Sequence, residues 1–325
     1  MGLSGEPDGL YAENQARYRD DPVGWIEAFV RFPAGGLSGY QREIIAAVQE
    51  KKRVAVRGPH GLGKTTMLSL LVLWFATTRD GLDWKVVTTA SAWRQLTKFL
   101  WPEIHKWARL VDWDALGMPA PRKGRELMDL SLKLRTGEAF AIASDQPAAI
   151  EGAHATHLLY IFDEAKTIPA GTWDAAEGAF STAGSDTAQE ALAVAASTPG
   201  VGLSRFREIH EHKPGYEDWH VRRVSLQEAI EAGRISAEWA AARLRQWGAN
   251  SAVYITRVLG EFAEQDESGI IPIEWIYRAV ERWKALEDAG ELVELAPTCL
   301  GTDVGDGGDP SIIARWSGRV LLALE

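Results

Sequence analysis

A phosphate-binding pattern, G-x-x-x-x-G-K-[ST], occupies residues 58–65 of the sequence. Gly58, Gly61 and Gly63 allow backbone N–H groups to converge on one anion. In such a loop Lys64 reaches the β- and γ-phosphates of a nucleotide, and the Thr65 hydroxyl is placed to ligate Mg²⁺. The other residues predicted to line this loop are Arg57, Pro59, His60, Leu62 and Thr66. The pattern therefore predicts a site for ATP with Mg²⁺.

The elements on either side of the loop favour a nucleotide site over a glycine-rich turn that contains a lysine by accident. Residues 53–57 are a short run with β-branched side chains, which predicts a buried strand. Residues 65–77 are apolar and contain neither proline nor glycine, which predicts a buried helix. A helix that begins near Lys64 directs the positive end of its dipole at the phosphates.

A second apolar run lies within residues 158–165 and ends in two carboxylates. A buried strand would place Asp163 and Glu164 at its carboxyl end, where open α/β sheets bind ligands. Asp163 is predicted to hold Mg²⁺ and Glu164 to polarise the water that attacks the γ-phosphate. A solvated acidic turn is the alternative, and the preceding phosphate-binding pattern disfavours it.

Weaker signals come from three polar residues. Ser197 and Thr198 follow another apolar run and could hydrogen-bond the γ-phosphate, although Ser-Thr-Pro-Gly is also an ordinary turn sequence. Gln41 precedes the first strand, and its amide could pair with the edge of adenine.

Composition restricts the class of protein. The chain has 325 residues, 46% of them hydrophobic, and a net charge of −10, which argues against a surface covered in nucleic-acid contacts. Any DNA contact therefore requires a local basic patch, which the sequence does not locate. The single cysteine, Cys299, excludes an internal disulfide and fits a reducing compartment. No apolar run reaches about 18 residues, so no membrane-spanning helix is expected.

Periodicity and turn residues predict alternating strands and helices, and hence a mainly parallel sheet covered on both faces. Helices are predicted at residues 12–19, 22–31, 40–51, 65–77, 91–109 with Ser91 as cap, 236–259 and 273–286. Strands are predicted at 53–57, 84–89, 158–162 and 191–196, with a hairpin within 126–143 and a short meander from residue 298 onward. The predicted division is a core at 1–200, a lid and linker at 201–265, and a further segment at 266–325.

The combined motifs resemble the ATPase half of the large terminase subunit, the DNA-packaging motor of tailed bacteriophages. The phosphate-binding loop and the acidic pair occur in many ATPases. The Gly260-Glu261-Phe262 element and a late G-x-D-x-G pattern at 301–305 make the order of motifs specific. The segments that carry the resemblance are 39–41, 57–66, 89–95, 152–154, 163–165, 197–200, 259–262, 301–305 and 309–311.

The resemblance implies an α/β P-loop ATPase core with a mainly parallel central sheet, a small helical lid, and the first strands of a ribonuclease-H-like nuclease domain. It implies double-stranded DNA, a portal protein and a small terminase subunit as partners. It also implies a homo-oligomeric ring and a location in the cytoplasm of the bacterial host, with no membrane association.

Residue roles also follow from the resemblance. It implies that Lys64 and Thr65 bind phosphate and Mg²⁺, that Asp163 supports the metal, and that Glu164 is the catalytic carboxylate. The other implied roles are adenine recognition for Gln41, coupling of hydrolysis to movement for Ser197 and Thr198, and nuclease metal binding for Asp303.

The chain departs from the family pattern at two points. Some relatives carry a trans-acting arginine where this chain has Glu151, which leaves Arg57, Arg94, Arg122 and Arg125 as open candidates. A nuclease needs several carboxylates to hold its metal pair, and Asp306 and Asp309 read as turn residues. We therefore expect nucleotide binding, and no DNA cleavage by this chain alone.

Two other functions remain open. A helicase with two RecA-like domains would need a second parallel sheet, which the residues after 200 do not predict. A nucleotide-gated DNA-binding module would need no water-activating carboxylate, so Glu164 disfavours it.

Overall fold

The computed structural model describes residues 9–33, 35–144, 150–180, 189–264, 273–291, 296–303, 312–318 and 320–324. The chain forms two compact units, Met1–Ala263 and Glu264–Glu325. None of the helices within the described ranges is long and apolar enough to cross a membrane.

An eight-stranded, mainly parallel sheet forms the centre of the first unit. Its strands are β1 (Arg53–Arg57), β2 (Trp84–Ala90), β3 (Leu127–Met128), β4 (Ser131–Lys133), β5 (Glu138–Ala141), β6 (His157–Asp163), β7 (Glu190–Ser197) and β8 (His220–Arg223). They are ordered β3-β4-β5-β2-β6-β7-β1-β8, and only the β3-β4-β5 edge is antiparallel. The predicted α/β fold class is confirmed, as is the hairpin within 126–143.

The central strands are apolar along their whole length because both faces of the sheet are covered. In β1, Val54 and Val56 join one buried cluster and Ala55 joins the other. In β6, Ile161 and Phe162 divide between the same two clusters. The alternation is the period of two that a strand imposes on its side chains.

Helices cover both faces of this sheet. They are α1 (Gly9–Tyr18), α2 (Pro22–Phe29), α3 (Gly39–Lys51), α4 (Lys64–Arg79), α5 (Trp93–Gln95), α6 (Trp101–Ala108), α7 (Trp113–Leu116), α8 (Ala170–Phe180), α9 (Arg205–His210), α10 (Leu226–Glu231), α11 (Ala237–Trp247) and α12 (Ala252–Tyr254). Every residue of α4 from Met67 to Arg79 is buried, which explains why its sequence is mainly apolar up to Ala76. Asp21 caps α2, since its carboxylate accepts from the Gly24 N–H at 2.8 Å.

The helix after β2 differs from the prediction. Its N-cap is Ala92 rather than Ser91, and Ala92 is extended with φ −136° and ψ 137°. A capping side chain must belong to the residue directly before the first helical turn, and Ser91 lies one residue too early. The helix also widens into a π-helical turn at Leu96–Leu100, and a second such turn, Ile255–Leu259, follows α12.

Residues 201–263 lie in the same compact unit as the preceding core. β8 pairs parallel with β1, from Val54 opposite His220 to Arg57 opposite Arg223. The sequence did not predict β8, because the edge strand His-Val-Arg-Arg has no apolar run. A division between core and lid at residue 200 stays a prediction.

The second unit contains the helix α13 (Ile273–Asp288) and three strands, β9 (Cys299–Asp303), β10 (Ile312–Ser317) and β11 (Val320–Leu324). β10 pairs antiparallel with both of its neighbours. The meander predicted from residue 298 is therefore present. Residues 265–269, at the predicted boundary between the lid and the last segment, lie outside the described residues, as do Asp306 and Asp309.

Candidate active site

The carboxyl ends of the central strands bring the predicted chemical groups to one edge of the sheet. Arg57, the last residue of β1, pairs with Ser197 at the end of β7. Asp163, the last residue of β6, pairs with Ala196 on one side and Ala90 on the other. Parallel strands end at the same edge, so segments up to 140 residues apart in sequence meet there.

The phosphate-binding loop connects β1 to α4 and requires glycine at several positions. Gly61 and Gly63 have φ values of +87° and +75°, which side chains with a Cβ rarely adopt. At Gly58 a Cβ would lie 2.8 Å from the Val224 carbonyl oxygen, so the chain passes too closely for any larger residue. Pro59 and Leu62 are buried and His60 is exposed.

Lys64 is the first residue of α4, and its side chain turns back over the loop. Its Nζ donates to the Pro59 carbonyl oxygen at 2.8 Å and to that of Gly58 at 3.5 Å. Burial lowers the pKa of Lys64 to about 8, against the opposing effect of the nearby carboxylates Glu164 and Asp163. The ammonium thus bonds carbonyl oxygens in a place where an anion would relieve its desolvation.

The two threonines after Lys64 point to different environments. Thr66 donates its hydroxyl hydrogen to Glu103 of α6 at 3.0 Å, which ties the start of α4 to its neighbouring helix. Within the described part of the chain, no residue forms a hydrogen bond with the Thr65 hydroxyl, and Thr65 is partly exposed. The Thr65 hydroxyl is therefore free of described protein partners, and its role as a Mg²⁺ ligand stays a prediction.

Asp163 is a buried carboxylate, 4% exposed, and the described residues give it no ion pair. It accepts one hydrogen bond, from the backbone N–H of Glu164 at 3.1 Å. Burial raises the pKa of Asp163 to about 7, with a further contribution from the charge of Glu164. A carboxylate in this situation is suited to a divalent cation, which would supply the missing positive charge.

Glu164 adopts a left-handed backbone conformation with φ +48° and ψ 47°. Non-glycine residues take this conformation at a cost of about 1–3 kcal/mol, and such strain clusters at functional sites. Its Oε2 accepts from the Ser197 hydroxyl at 3.1 Å and lies 3.8 Å from Lys166 Nζ. Lys166 in turn donates to the Thr198 hydroxyl at 2.8 Å. The structure therefore joins Ser197 to Glu164 directly and Thr198 to Glu164 through Lys166, while the contact of these hydroxyls with the γ-phosphate stays a prediction.

Gln41 is completely buried, and protein groups occupy both ends of its amide. Its nitrogen donates to the Leu62 carbonyl oxygen at 3.2 Å, and its oxygen accepts from the Ser38 N–H at 2.9 Å and from Arg234 at 3.0 Å. Through its hydrogen bond to Leu62, Gln41 holds the phosphate-binding loop against the start of α3. Its reading of adenine stays a prediction.

Arg57 contacts a segment 203 residues away in sequence. Its guanidinium donates to the Gly260 carbonyl oxygen at 3.1 Å, forms an ion pair with Glu261, and lies 5.0 Å from the centre of the Phe262 ring. A Cβ on Gly260 would lie 2.6 Å from the Gly58 Cα, so backbone packs directly on backbone. The Gly-Glu-Phe element thus holds the phosphate-binding loop in place.

The remaining arginine candidates differ in their partners. Arg122 forms an ion pair with Glu126 at 2.8 Å. Arg94 and Arg125 are exposed and form no ion pair with a described carboxylate. Asp303 ends β9 by its backbone, and its side chain lies outside the described residues.

The sequence did not indicate Lys166 or Arg234 as residues of the site, and it indicated Glu261 only as part of the Gly-Glu-Phe element, without its ion pair to Arg57. For Lys166 the signal was its position two residues after the acidic pair. Arg234 and Glu261 act on residues about 200 positions away in sequence, and no local pattern indicates such a partner.

Comparison with known proteins supports the resemblance to large terminase subunits. The chain is 26% identical to a protein of Enterobacteria phage P7 named probable terminase, large subunit, over 96% of this chain and 62% of that protein. The chain thus spans about three fifths of the length of this curated relative. No protein-family model matches the chain.

Solved structures of large terminases share the fold at low sequence identity. The large terminase of the thermophilic bacteriophage D6E has a TM-score of 0.55 at 15% identity, over 87% of this chain and 65% of that one. The ATPase domain of the Thermus phage P74-26 large terminase has a TM-score of 0.51 at 18% identity, over 74% of this chain and 98% of that one. The HK97 bacteriophage large terminase has a TM-score of 0.50 at 16% identity, over 92% of this chain and 65% of that one. The resemblance drawn from the motifs is confirmed.

Proposed function

We propose that this chain hydrolyses ATP to drive the movement of double-stranded DNA, as the motor part of a large terminase subunit. The observation that carries the proposal is the meeting of Lys64, Asp163 and Glu164 at one sheet edge, in a fold shared with large terminases. Structures of the D6E protein in complex with ATP-gamma-S and with ADP support nucleotide as the ligand of that fold.

The phosphates would bind to the backbone N–H groups of residues 58–63 and to Lys64, which is the first residue of a long helix. Thr65 and Asp163 would hold Mg²⁺, because one supplies a hydroxyl without a described protein partner and the other a buried carboxylate without a counter-charge. Bound Mg²⁺ neutralises charge on the phosphates. Residues and cofactor thus fit one another.

Glu164 is the group suited to take a proton from the attacking water. Ser197 and Lys166 fix the direction of its carboxylate, and its strained backbone places it beyond the end of β6. The rate contribution of such a base is about 10²–10⁴-fold. A nucleotide-gated binding module would have no use for this arrangement, which makes that alternative weaker.

The helicase alternative is also weaker. In the unit Glu264–Glu325 the described strands pair antiparallel, whereas a second RecA-like domain would contribute a parallel sheet. The nuclease assignment, the ring of subunits, the portal and small-subunit partners and the host cytoplasm remain parts of the proposal that rest on the resemblance.

A basic groove of about 500 Å³ lies between the first π-helical turn, α6 and the 123–130 segment. Its charged lining residues are Lys98, His105, Arg109, Lys123 and Asp129. Lys98, Arg109 and Lys123 form no ion pair with any described carboxylate, so their charges are available to an anionic ligand. Phosphodiester groups of DNA would satisfy these cations, and we include this groove in the proposal as the DNA contact.

The test is Mg²⁺-dependent ATP hydrolysis over a range of protein concentrations, with Glu164→Gln as the matched variant. We expect hydrolysis to fall about a hundredfold or more in the variant, because the amide cannot accept the proton. Nucleotide binding should persist. Specific activity that rises with concentration would support a subunit completed by its neighbours. ATP binding without hydrolysis at any concentration, with and without double-stranded DNA, would contradict the proposal.

A further inference from the structure

Lys166 joins the ends of two strands at the proposed hydrolytic site. It lies in the 3₁₀ turn Ala165–Thr167, directly after Glu164. Its Nζ donates to the Thr198 hydroxyl at 2.8 Å and lies 3.8 Å from Glu164 Oε2. One ammonium therefore bridges the carboxylate after β6 and the hydroxyl after β7.

The path of the Lys166 side chain is fixed along its length. The stem lies against Gly200, where an added Cβ would be 3.5 Å from Lys166 Cδ and 3.6 Å from its Cβ. The side chain is 28% exposed, far less than a free surface lysine. A lysine packed along its stem and bonded at its end delivers its charge to a defined place.

The bridge continues to the phosphate-binding loop. The Gly200 carbonyl oxygen accepts from the Ala263 N–H at 3.4 Å, and Val201 forms a β-bridge with Ala263. Ala263 follows the Gly-Glu-Phe element that packs on Gly58. The segment after β7 is thus connected to Glu164 through Lys166 and to the loop through Ala263.

The charge of Lys166 also acts on the phosphate site. Burial lowers the pKa of Lys64, and the positive charge of Lys166 lowers it further. Two ammonium groups and two carboxylates, Asp163 and Glu164, therefore share this edge of the sheet. An anion bound by Lys64 would compete with Glu164 for the ammonium of Lys166.

We propose that Lys166 is a positioning residue that holds Glu164 beside Thr198 and exchanges this contact for the terminal phosphate of a nucleoside triphosphate. The inference rests on the proposed function and adds a role that the phosphate-binding pattern does not contain. A diphosphate lacks the competing group, so Lys166 distinguishes ATP from ADP. Through Thr198 and Gly200, the exchange reaches the segment after β7.

The test is the affinity for ATPγS and for ADP with Mg²⁺, measured by titration calorimetry on Lys166→Met. Methionine keeps the stem against Gly200 and removes the charge. We expect affinity for ATPγS to fall about tenfold, the effect of one charge-assisted hydrogen bond, and affinity for ADP to change less than about twofold. Lys166→Arg should restore most of the difference. Lys133→Met, on the exposed face of β4, is the matched control and should change neither affinity.

Equal losses for the two nucleotides, or an unchanged ratio, would overturn the role of Lys166 and leave the ATPase proposal standing. A wild-type chain that binds neither nucleotide would overturn both. Thr198→Val, which removes the hydroxyl at nearly constant shape, is the second variant if Lys166→Met does not fold. Because the Thr198 hydroxyl holds Lys166 in the ligand-free state, its removal should shift the ratio in the opposite direction, by about threefold in favour of ATPγS, and an unchanged ratio in a folded Thr198→Val would also count against the inference.

Discussion

Buried charged side chains have ion-pair partners at the amino edge of the central sheet, while two of those at its carboxyl edge have none. At the amino edge Arg79 is completely buried, and its guanidinium donates to the two oxygens of Glu190 at 3.0 Å and 2.7 Å. It also donates to the Arg19 carbonyl oxygen at 2.7 Å, and His157 lies 3.1 Å from Glu190. Burial alone would raise the pKa of Glu190, but the bonds from His157 and Arg79 lower it to about 2.

At the carboxyl edge the charges are not compensated in this way. Burial raises the pKa of Asp163 to about 7 and lowers that of Lys64 to about 8, so the charged form of each group is less favoured than in water. The buried ions of the amino edge have protein partners of opposite charge, whereas Asp163 and Lys64 at the carboxyl edge are desolvated and form no ion pair with a described residue. The comparison indicates that a buried charged side chain without an ion-pair partner marks a binding site, because a ligand can supply the missing opposite charge.

Removal of Arg79 should produce the largest loss of stability. Arg79→Leu leaves Glu190 with only His157 and without its bidentate partner, and we expect the free energy of unfolding to fall by about 3–5 kcal/mol. Chemical denaturation followed by tryptophan fluorescence would measure the loss.

The matched control is Arg31→Leu, which breaks the exposed pair with Asp112. An exposed pair contributes about 0–1 kcal/mol, so this variant should remain close to the wild type. Similar losses in the two variants would show that the amino edge is no more than another surface ion pair, and the contrast between the edges would fail.

Asp163→Asn, unlike Arg79→Leu, should increase the free energy of unfolding. The folded pKa of Asp163, about 7, lies above its ordinary value of 3.8. The folded state therefore keeps a proton that the unfolded chain has lost, and the stability contribution present below about pH 4 disappears as pH rises through 7. Asparagine removes this penalty, so at pH 8 the variant should be more stable than the wild type by about 2–4 kcal/mol.

Thermal unfolding at pH 5 and at pH 8, without Mg²⁺, would measure this difference. The advantage of the variant should shrink at pH 5, while its hydrolysis of ATP should be lost at both values. A variant less stable than the wild type at pH 8 would mean that Asp163 has a compensating partner, and the two edges would then be alike.

The sequence predicted the groups of the carboxyl edge better than their arrangement. Lys64, Thr65, Asp163 and Glu164 were predictable because each lies in a short pattern whose chemistry requires that spacing. The strands beneath them were predictable because burial on both faces produces uninterrupted apolar runs. The prediction of Ser91 as the cap was wrong because the helix begins one residue later than expected, and sequence patterns do not fix a helix start to the exact residue.

The long-range contacts could not be predicted. Arg57 with Glu261 and Gln41 with Arg234 join residues about 200 positions apart, and their charges suit many other partners equally well. The buried pair at the amino edge is hidden for the same reason. Neither Arg79 nor Glu190 belongs to a motif, and each reads as the polar end of an apolar segment.

A substitution at His210 should have the smallest effect on stability, and it tests whether a buried titratable group near Arg57 lacks a partner of opposite charge. Its Nε2 is buried without a hydrogen-bond partner among the described residues, and its ring packs on Phe206 and Phe262. Burial, with the charge of Arg57 and that of His212, lowers the pKa of His210 to about 3.

The folded pKa is therefore below the ordinary value of 6.5, so the unfolded chain takes up a proton first as the solution is acidified. The His210 contribution should cost the wild type about 2 kcal/mol between pH 7 and pH 5. His210→Phe keeps the aromatic packing and removes the titration, so its stability should fall by that much less over the same interval. Parallel pH profiles for the two proteins would show that His210 is compensated after all. In that case only Asp163 and Lys64 would distinguish the carboxyl edge from the amino edge.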